Sequence, residues 1–377
     1  MIENQNGQKS GNQLDSIARI PRGIVKLNNQ DVKFEEVDIR SGAPYTCDTY
    51  EVVMPLYGQP EGIDLAFFAS ADSFTIGICI GFPSDQDAAT TNELVLLIAG
   101  ENNDVEIDPT AGIVRISGRD LSSRLIDKKV TQAFNNITAS GLARLFASEN
   151  GLKADVVDTT EIIGNFLQVA QTYTASNYTQ WDMLVEAAIG EDFLVYVRGD
   201  TLVFKPIPSG DDVRDTYVLN YTPRSIDSAF PTFDQGTRMS FFRNNIVSGN
   251  ISVTVKVPYS SYSGKAFHVK QQSKSSSASN DAFIRKYVFS HPGLTNEQAV
   301  EKAKQLLKNL SIHAVRLSAD LVFDTKLQKE MLIKVTGTNT ELDQLYYIDS
   351  LVRRMTMDDF SMFVSAKNKS IGTDLES

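Results

Sequence analysis

The sequence predicts a mainly β, α+β fold with one small α/β element inserted, and three observations carry that expectation. Most of the chain reads as short β-branched or alternating segments separated by Gly, Pro, Asn and Asp clusters. One block, 121–205, mixes helical spacing with a tight hairpin. The hydrophobic share is 42%, enough to fill ordinary cores without disulfides or a metal.

Residues 1–16, rich in Asn, Gln, Gly and Ser, read as a disordered tail. Strands are expected at 50–54, 73–80, 93–98 and 113–117, with Asn102-Asn103-Asp104 acting as a separator. Val105, Ile107, Ile113 and Ile116 supply the apolar residues of one hairpin. After Gly118-Arg119-Asp120 the texture becomes helical, with Leu121, Leu125 and Ile126 at helical spacing. A helix capped by Thr138 carries Leu142, Leu145 and Phe146 on one face and stops at Asn150-Gly151. The next spans 178–189, capped by Ser176 or Asn177 and ended by Gly190. Its apolar stripe includes Trp181, which places the lone tryptophan in the core and not on a binding platform. Gly199-Asp200 then joins two strands, 193–198 and 201–205, as a hairpin.

Strands follow at 217–221, 238–242 and 251–257, then a Ser-rich flexible loop at 271–281. A helix over 295–310 has Thr295 and Gln298 as its capping box. Closing strands lie at 315–322, 331–335, 345–353 and 361–366, before a polar tail, 366–377. In the pairs Phe241-Phe242 and Tyr346-Tyr347 strand alternation buries one aromatic and leaves its neighbour for a subunit interface.

At 377 residues, two to three domains are expected. Net charge is −11, from 47 acidic against 36 basic residues. That balance, with no dense Lys/Arg run, argues against a nucleic-acid reader. The Arg353-Arg354 pair reads as solvated or salt-bridged on a strand. Cys47 and Cys79 read as two reduced thiols, without a disulfide framework or zinc spacing. The opening Met1-Ile2-Glu3-Asn4-Gln5 lacks signal-peptide character, and the longest apolar runs, near 74–82 and 94–99, are strand-length.

Catalytic constellations are missing. His268, His291 and His313 are scattered outside metal-ligand spacing. Neither a nucleophile elbow nor a phosphate-binding loop occurs. The pairs Glu35-Glu36, Asp211-Asp212 and Asp358-Asp359 are sequence neighbours, which rarely straddle a cleft as glycosidase carboxylates do. The expectation is a protein that works by binding other proteins, with no catalytic, cofactor or metal residues.

The central block carries a resemblance. Val114-Arg115-Ile116-Ser117-Gly118-Arg119-Asp120 enters a helix, Phe134-Asn135-Asn136-Ile137-Thr138 opens another, and Glu149-Asn150-Gly151-Leu152 closes it. Further on come Trp181, Leu184 and Ala187, then Gly190 before a hairpin with Leu202, Phe204 and Pro206, and finally Tyr347-Ile348-Asp349 with Val352. This resembles the baseplate central hub proteins of contractile phage tails, the late-control D type, related to the hub part of type VI secretion spikes. The structural signature would comprise Gly118, Arg119, Asp120, Phe134, Gly151, Trp181, Gly190 and Phe204. Where the family often has a histidine, this chain has Arg353.

The resemblance implies two similar tube-like β-barrel domains in a ring-forming chain. They would be 17–120 plus 206–245, and 246–365 with the helix at 295–310, flanking the α/β domain at 121–205. It further implies a homotrimer joining a hexameric tail tube to a trimeric central spike, with tape-measure and baseplate wedge proteins as further partners. DNA would meet it only in passage, through an acidic lumen, and no membrane insertion is implied. The place of action would be the virion baseplate, assembled in the host bacterial cytoplasm. Two other readings stay open from the residues: a tail-associated cell-wall hydrolase, and a receptor- or carbohydrate-binding tail component.

Overall fold

The computed structural model describes residues 21–368 except 71–72, 84–93, 131–133, 135–136, 161–177, 209, 211, 224–231, 234–235, 244–250, 258–264, 271–284, 291–298, 301, 305 and 307–314. The expected tail at 1–16 and the loop at 271–281 lie outside the described residues.

Seven strands build the first unit: β1 (Arg22–Leu27), β2 (Gln30–Val32), β3 (Glu36–Gly42), β4 (Thr49–Pro55), β5 (Thr75–Gly81), β6 (Val95–Asp108) and β7 (Ile113–Asp120). Helix α1 (Leu65–Ser70) packs Phe68 into them. Strict alternation decides the faces. In β3, Val37 and Ile39 are buried while Asp38 and Arg40 point out; in β7, Val114 and Ile116 are buried while Arg115 and Ser117 point out. The expected separator at Asn102-Asn103-Asp104 is instead a bulge inside the 14-residue strand β6, because an extra residue bends a strand without ending it. The hairpin expected from Val105, Ile107, Ile113 and Ile116 forms, with Val105 opposite Ile116.

The α/β element holds α2 (Ser123–Asp127), α3 (Ala139–Glu149), β8 (Lys153–Val156), α4 (Gln180–Gly190), β9 (Phe193–Arg198) and β10 (Thr201–Pro206). Thr138 caps α3 by accepting from Gly141 N at 3.1 Å, and Gly151 follows it with φ +67°. Helix α4 starts later than expected. Its cap is Thr179, in a reciprocal box with Asp182, because only that spacing satisfies two orphan amides at once. Gly199 turns the β9–β10 hairpin with φ +57°, and β8 lies parallel to β10.

The remaining strands are β11 (Thr216–Thr222), β12 (Thr232–Phe233), β13 (Gly236–Arg243), β14 (Ile251–Val257), β15 (Lys265–Lys270), β16 (Arg285–Ser290), β17 (Val315–Val322), β18 (Leu332–Thr336), β19 (Leu345–Met355) and β20 (Phe360–Asn368). Strand β11 pairs with β18 and β13 with β17, so these two strands of the 206–245 stretch hydrogen-bond to the C-terminal strands and not to the first unit expected to hold them. The apolar faces of β11 and β17–β20 match one another, and that burial chose the partner. Strands β14–β16 form a separate three-stranded sheet, on which Ala299 and Ala303 pack against Val253 and Val255. The described part of the expected 295–310 helix, between 299 and 306, is helical. Residues 366–368 finish β20 and do not begin a tail.

Among the described residues no sheet closes into a barrel. Fourteen strands form one continuous sheet, joined where β19 meets β3. Strand β19 serves both cores: Tyr346, Ile348 and Leu351 pack with the C-terminal strands, and Met355 packs into the first unit.

Candidate functional site: an exposed sheet face and the junction behind it

Eight strands lie side by side in the order β13-β17-β20-β19-β3-β4-β7-β6, and every ladder between them is antiparallel. Paired residues share a face. Across the join, Val352 lies opposite both Phe363 and Arg40, and Arg354 opposite both Ser361 and Asp38. The result is one uninterrupted outward surface, rich in hydroxyls and charge. Its cations are largely matched: Arg40 with Asp38 at 2.9 Å, Arg354 with Glu36 at 2.7 Å, and Arg119 with Asp127 at 2.7 Å. Acidic side chains prevail on the β3–β6 half (Glu51, Asp104, Glu106), and basic ones on the other (Arg238, Arg316, Lys367). A depression of about 300 Å³ on it is lined by Asp38, Arg40, Glu51, Asp104 and Arg119.

Behind the join sits a buried polar junction that locks three units together. The β3–β4 loop is its hub. Trp181 Nε1 donates to Tyr45 O at 3.1 Å, and Tyr45 Oη donates to Phe193 O at 2.9 Å. The Asp120 carboxylate accepts from Asp48 N at 3.1 Å, Ser122 N at 2.9 Å, the Ser122 hydroxyl and Cys47 Sγ. Asp48 in turn holds Lys329 Nζ at 2.7 Å, and that ammonium lies 5.6 Å from the Tyr196 ring centre. Burial raises the Asp48 carboxyl above its ordinary range, and Lys329 pulls it back.

Arg353 is the second buried cation here. The Arg353-Arg354 expectation holds for Arg354 and is corrected for Arg353, which is 3% exposed. Strand parity turns it inward between the two cores. Its guanidinium donates to Leu327 O, and burial lowers its pKa to about 10, against the pull of Asp48 and Asp324. Asp324 accepts from Tyr217 Oη at 3.1 Å.

The expected signature positions divide between these two features and the α/β core. Gly118 is required where β7 crosses Tyr50, since a Cβ there would stand 2.2 Å from Glu101 O and 2.3 Å from Tyr50 Oη. Arg119 forms its pair on the outer face, and Asp120 organises the junction. Phe134 packs edge-on to Phe146 at 5.6 Å, and Phe204 lies 5.1 Å from Phe193. Trp181 is 5% exposed, in the core as expected. Gly190 is the last residue of α4, yet nothing lies within 4 Å of where its Cβ would be; the left-handed residue is Asp192, φ +57°. Sequence reasoning missed Asp48 and Lys329, whose loops carry no periodicity to mark them.

Both thiols are free: Cys79 is buried, and burial with the Asp120 carboxylate pushes Cys47 up to about 12. Among the described residues no cluster of His, Cys, Asp or Glu could hold a metal, and no helix is long and apolar enough to cross a membrane.

No family model matches this chain, and no curated protein matches it either. Solved structures do. A tail protein from Neisseria meningitidis MC58 superposes with a TM-score of 0.63 at 12% identity, over 94% of this chain and 98% of that one. The 43 kDa tail protein of prophage MuSo2 from Shewanella oneidensis gives 0.63 at 13% identity, over 93% and 98%. Prophage tail protein gp18 from Listeria monocytogenes gives 0.52 at 11% identity, over 93% and 95%. A chain of the Francisella PdpA–VgrG complex gives 0.52 at 8% identity, over 95% of this chain and 60% of that one. Identities this low speak for the fold alone, and on that ground the chain has the fold of phage and prophage tail proteins, the group that its central block resembles.

Proposed function

We propose that the chain is the structural hub of a contractile-tail baseplate, a trimeric ring that joins a hexameric tail tube to a trimeric spike. Residues 17–120 would form the first tube-like domain and 121–205 the α/β element. The second would take the strands of 206–245 together with those of 315–368. The observation that carries this reading is the uninterrupted eight-stranded face. It divides at the β19–β3 join into two four-stranded halves, so three chains present six halves to a tube and three copies of everything else to a spike.

In that ring the face lines the channel through which DNA or a tape-measure protein passes. The acidic residues that prevail on its β3–β6 half fit the acidic lumen expected from net charge, and Arg40, Arg354 and Arg119 are already paired with Asp38, Glu36 and Asp127, which weakens their pull on a passing polyanion. The work is binding and assembly in the virion, with no catalytic step.

Light scattering of the purified chain, alone and with its cognate spike, tests the ring. The expected mass is three times the 41.6 kDa of one chain, with pseudo-six-fold symmetry in images. A chain that stays monomeric even with the spike overturns the hub.

A further inference from the structure

A cleft of about 690 Å³ opens between the α/β element and the C-terminal strands, within the size range of ligand sites and at the kind of unit boundary where they occur. Its floor is apolar and aromatic: Leu194 and Tyr196 from β9, Tyr217 from β11, and Met331, with Pro206 and Pro208 along one side. Its rim is cationic, with Arg198, Lys205, Arg214 and Lys326 against two carboxylates, Asp215 and Glu330. We infer that this cleft is a docking site for an extended acidic segment of a partner protein. One apolar side chain of that segment sits on the floor, and its carboxylates meet the rim.

Alternation builds the two walls. In β9, Leu194, Tyr196 and Arg198 face the cleft while Val195 and Val197 pack into the α/β core. In the loop before β18, Lys326, Gln328 and Glu330 face it, and Leu327 and Lys329 are buried behind. That rear side is anchored in the polar junction: Lys329 Nζ lies 2.7 Å from Asp48 Oδ1, and Leu327 O accepts from Arg353. Arg198 bridges the walls by pairing with Glu330, and its guanidinium sits 5.5 Å from the Tyr196 ring centre. Walls fixed from behind are formed before a ligand arrives, which lowers the cost of binding it.

Charge and the floor together select the occupant. Lys326 is exposed and forms no ion pair among the described residues. Lys205 and Arg214 are paired with Asp155 and Asp212, each at 2.6 Å, but exposed pairs contribute little and exchange with a ligand's carboxylates. The floor calls for an apolar group. The Tyr217 hydroxyl is committed to Asp324 and the Tyr196 hydroxyl to Arg198, which leaves ring faces and aliphatic carbon to the ligand. A nucleic-acid strand suits the cleft less well, since a chain of net charge −11 repels a long polyanion.

Fluorescence anisotropy of the full chain with fluorescein-labelled dodecapeptides tests the site. One probe alternates glutamate with leucine, a second glutamate with serine, a third lysine with leucine. The glutamate–leucine probe should bind saturably and more weakly as salt rises, and the other two should bind far less. Lys326→Glu with Arg214→Glu should weaken it about tenfold. Arg115→Glu, on the outward face of β7, should leave its affinity unchanged. All three side chains are exposed, and far-UV circular dichroism with Trp181 emission checks that the variants are folded. No saturable binding, equal binding of either control peptide, or an affinity that the cleft variant does not move overturns the site. Tighter capture of a labelled single-stranded oligonucleotide, lost in the same variant, overturns the peptide as its occupant.

Discussion

Lys329 Nζ stands 2.7 Å from Asp48 Oδ1, two buried charges 281 positions apart in the chain. The pair ties the loop before β18 to the loop before β4, so it couples the C-terminal strands to the first unit. Removing one partner strands the other charge in a low-dielectric interior. Asp48→Asn or Lys329→Met should each cost about 3–5 kcal/mol. The double variant should be less destabilised than the sum of the singles. Urea unfolding of the four proteins checks this, and strictly additive losses would mean the two charges do not interact.

Cys47 should resist thiol reagents. Its pKa rises from 9.0 to about 12 through burial first and the Asp120 carboxylate second, so almost no thiolate exists at pH 8. Dithionitrobenzoate should label it on global unfolding and not before. A thiol held protonated in the fold contributes stability below pH 9 that is lost as pH rises toward 12. Cys47→Ser should flatten that alkaline loss.

Gly118→Ala should cost about 1–3 kcal/mol, because the new methyl meets the Glu101 carbonyl and the Tyr50 hydroxyl at once. Backbone on one side and a buried ring on the other leave no flexible end to yield. Gly190→Ala has nothing to strike and should be neutral or slightly stabilising. Thermal melts of the two variants separate these positions.

Trp181 is the one tryptophan, and its indole N–H is bound to Tyr45 O. Emission from the folded chain should be blue-shifted and should move red as the α/β element detaches from the β3–β4 loop. Trp181→Phe leaves that carbonyl without its donor, at a cost of about 1–3 kcal/mol in chemical denaturation.

The predicted features that proved easiest to read were local. Thr138 with Asn150-Gly151 bounded α3 to the residue, since cap chemistry acts within four positions. The Gly199-Asp200 turn fixed the β9–β10 register for the same reason. The cap of α4 lies three residues after Ser176 and two after Asn177, because Ser176, Asn177 and Thr179 all have capping side chains and only Thr179 has an acid three positions on. At 102–104, polar turn residues looked like the end of a strand, when a bulge uses the same residue types.

What the sequence determined by itself is local: the apolar residues of a hairpin are legible from alternation alone, and Val105, Ile107 and Ile116 do pack toward the first core. It could not say which strand lies beside which. Alternation reports burial, and any strand with an apolar face satisfies it equally. The tertiary structure decided that β11 and β13 join β18 and β17, that β19 spans two cores, and that Arg353 points inward between them. It also brought Asp48 to Lys329. Contacts across hundreds of residues are selected by the summed fit of whole faces, and no local segment contains that sum.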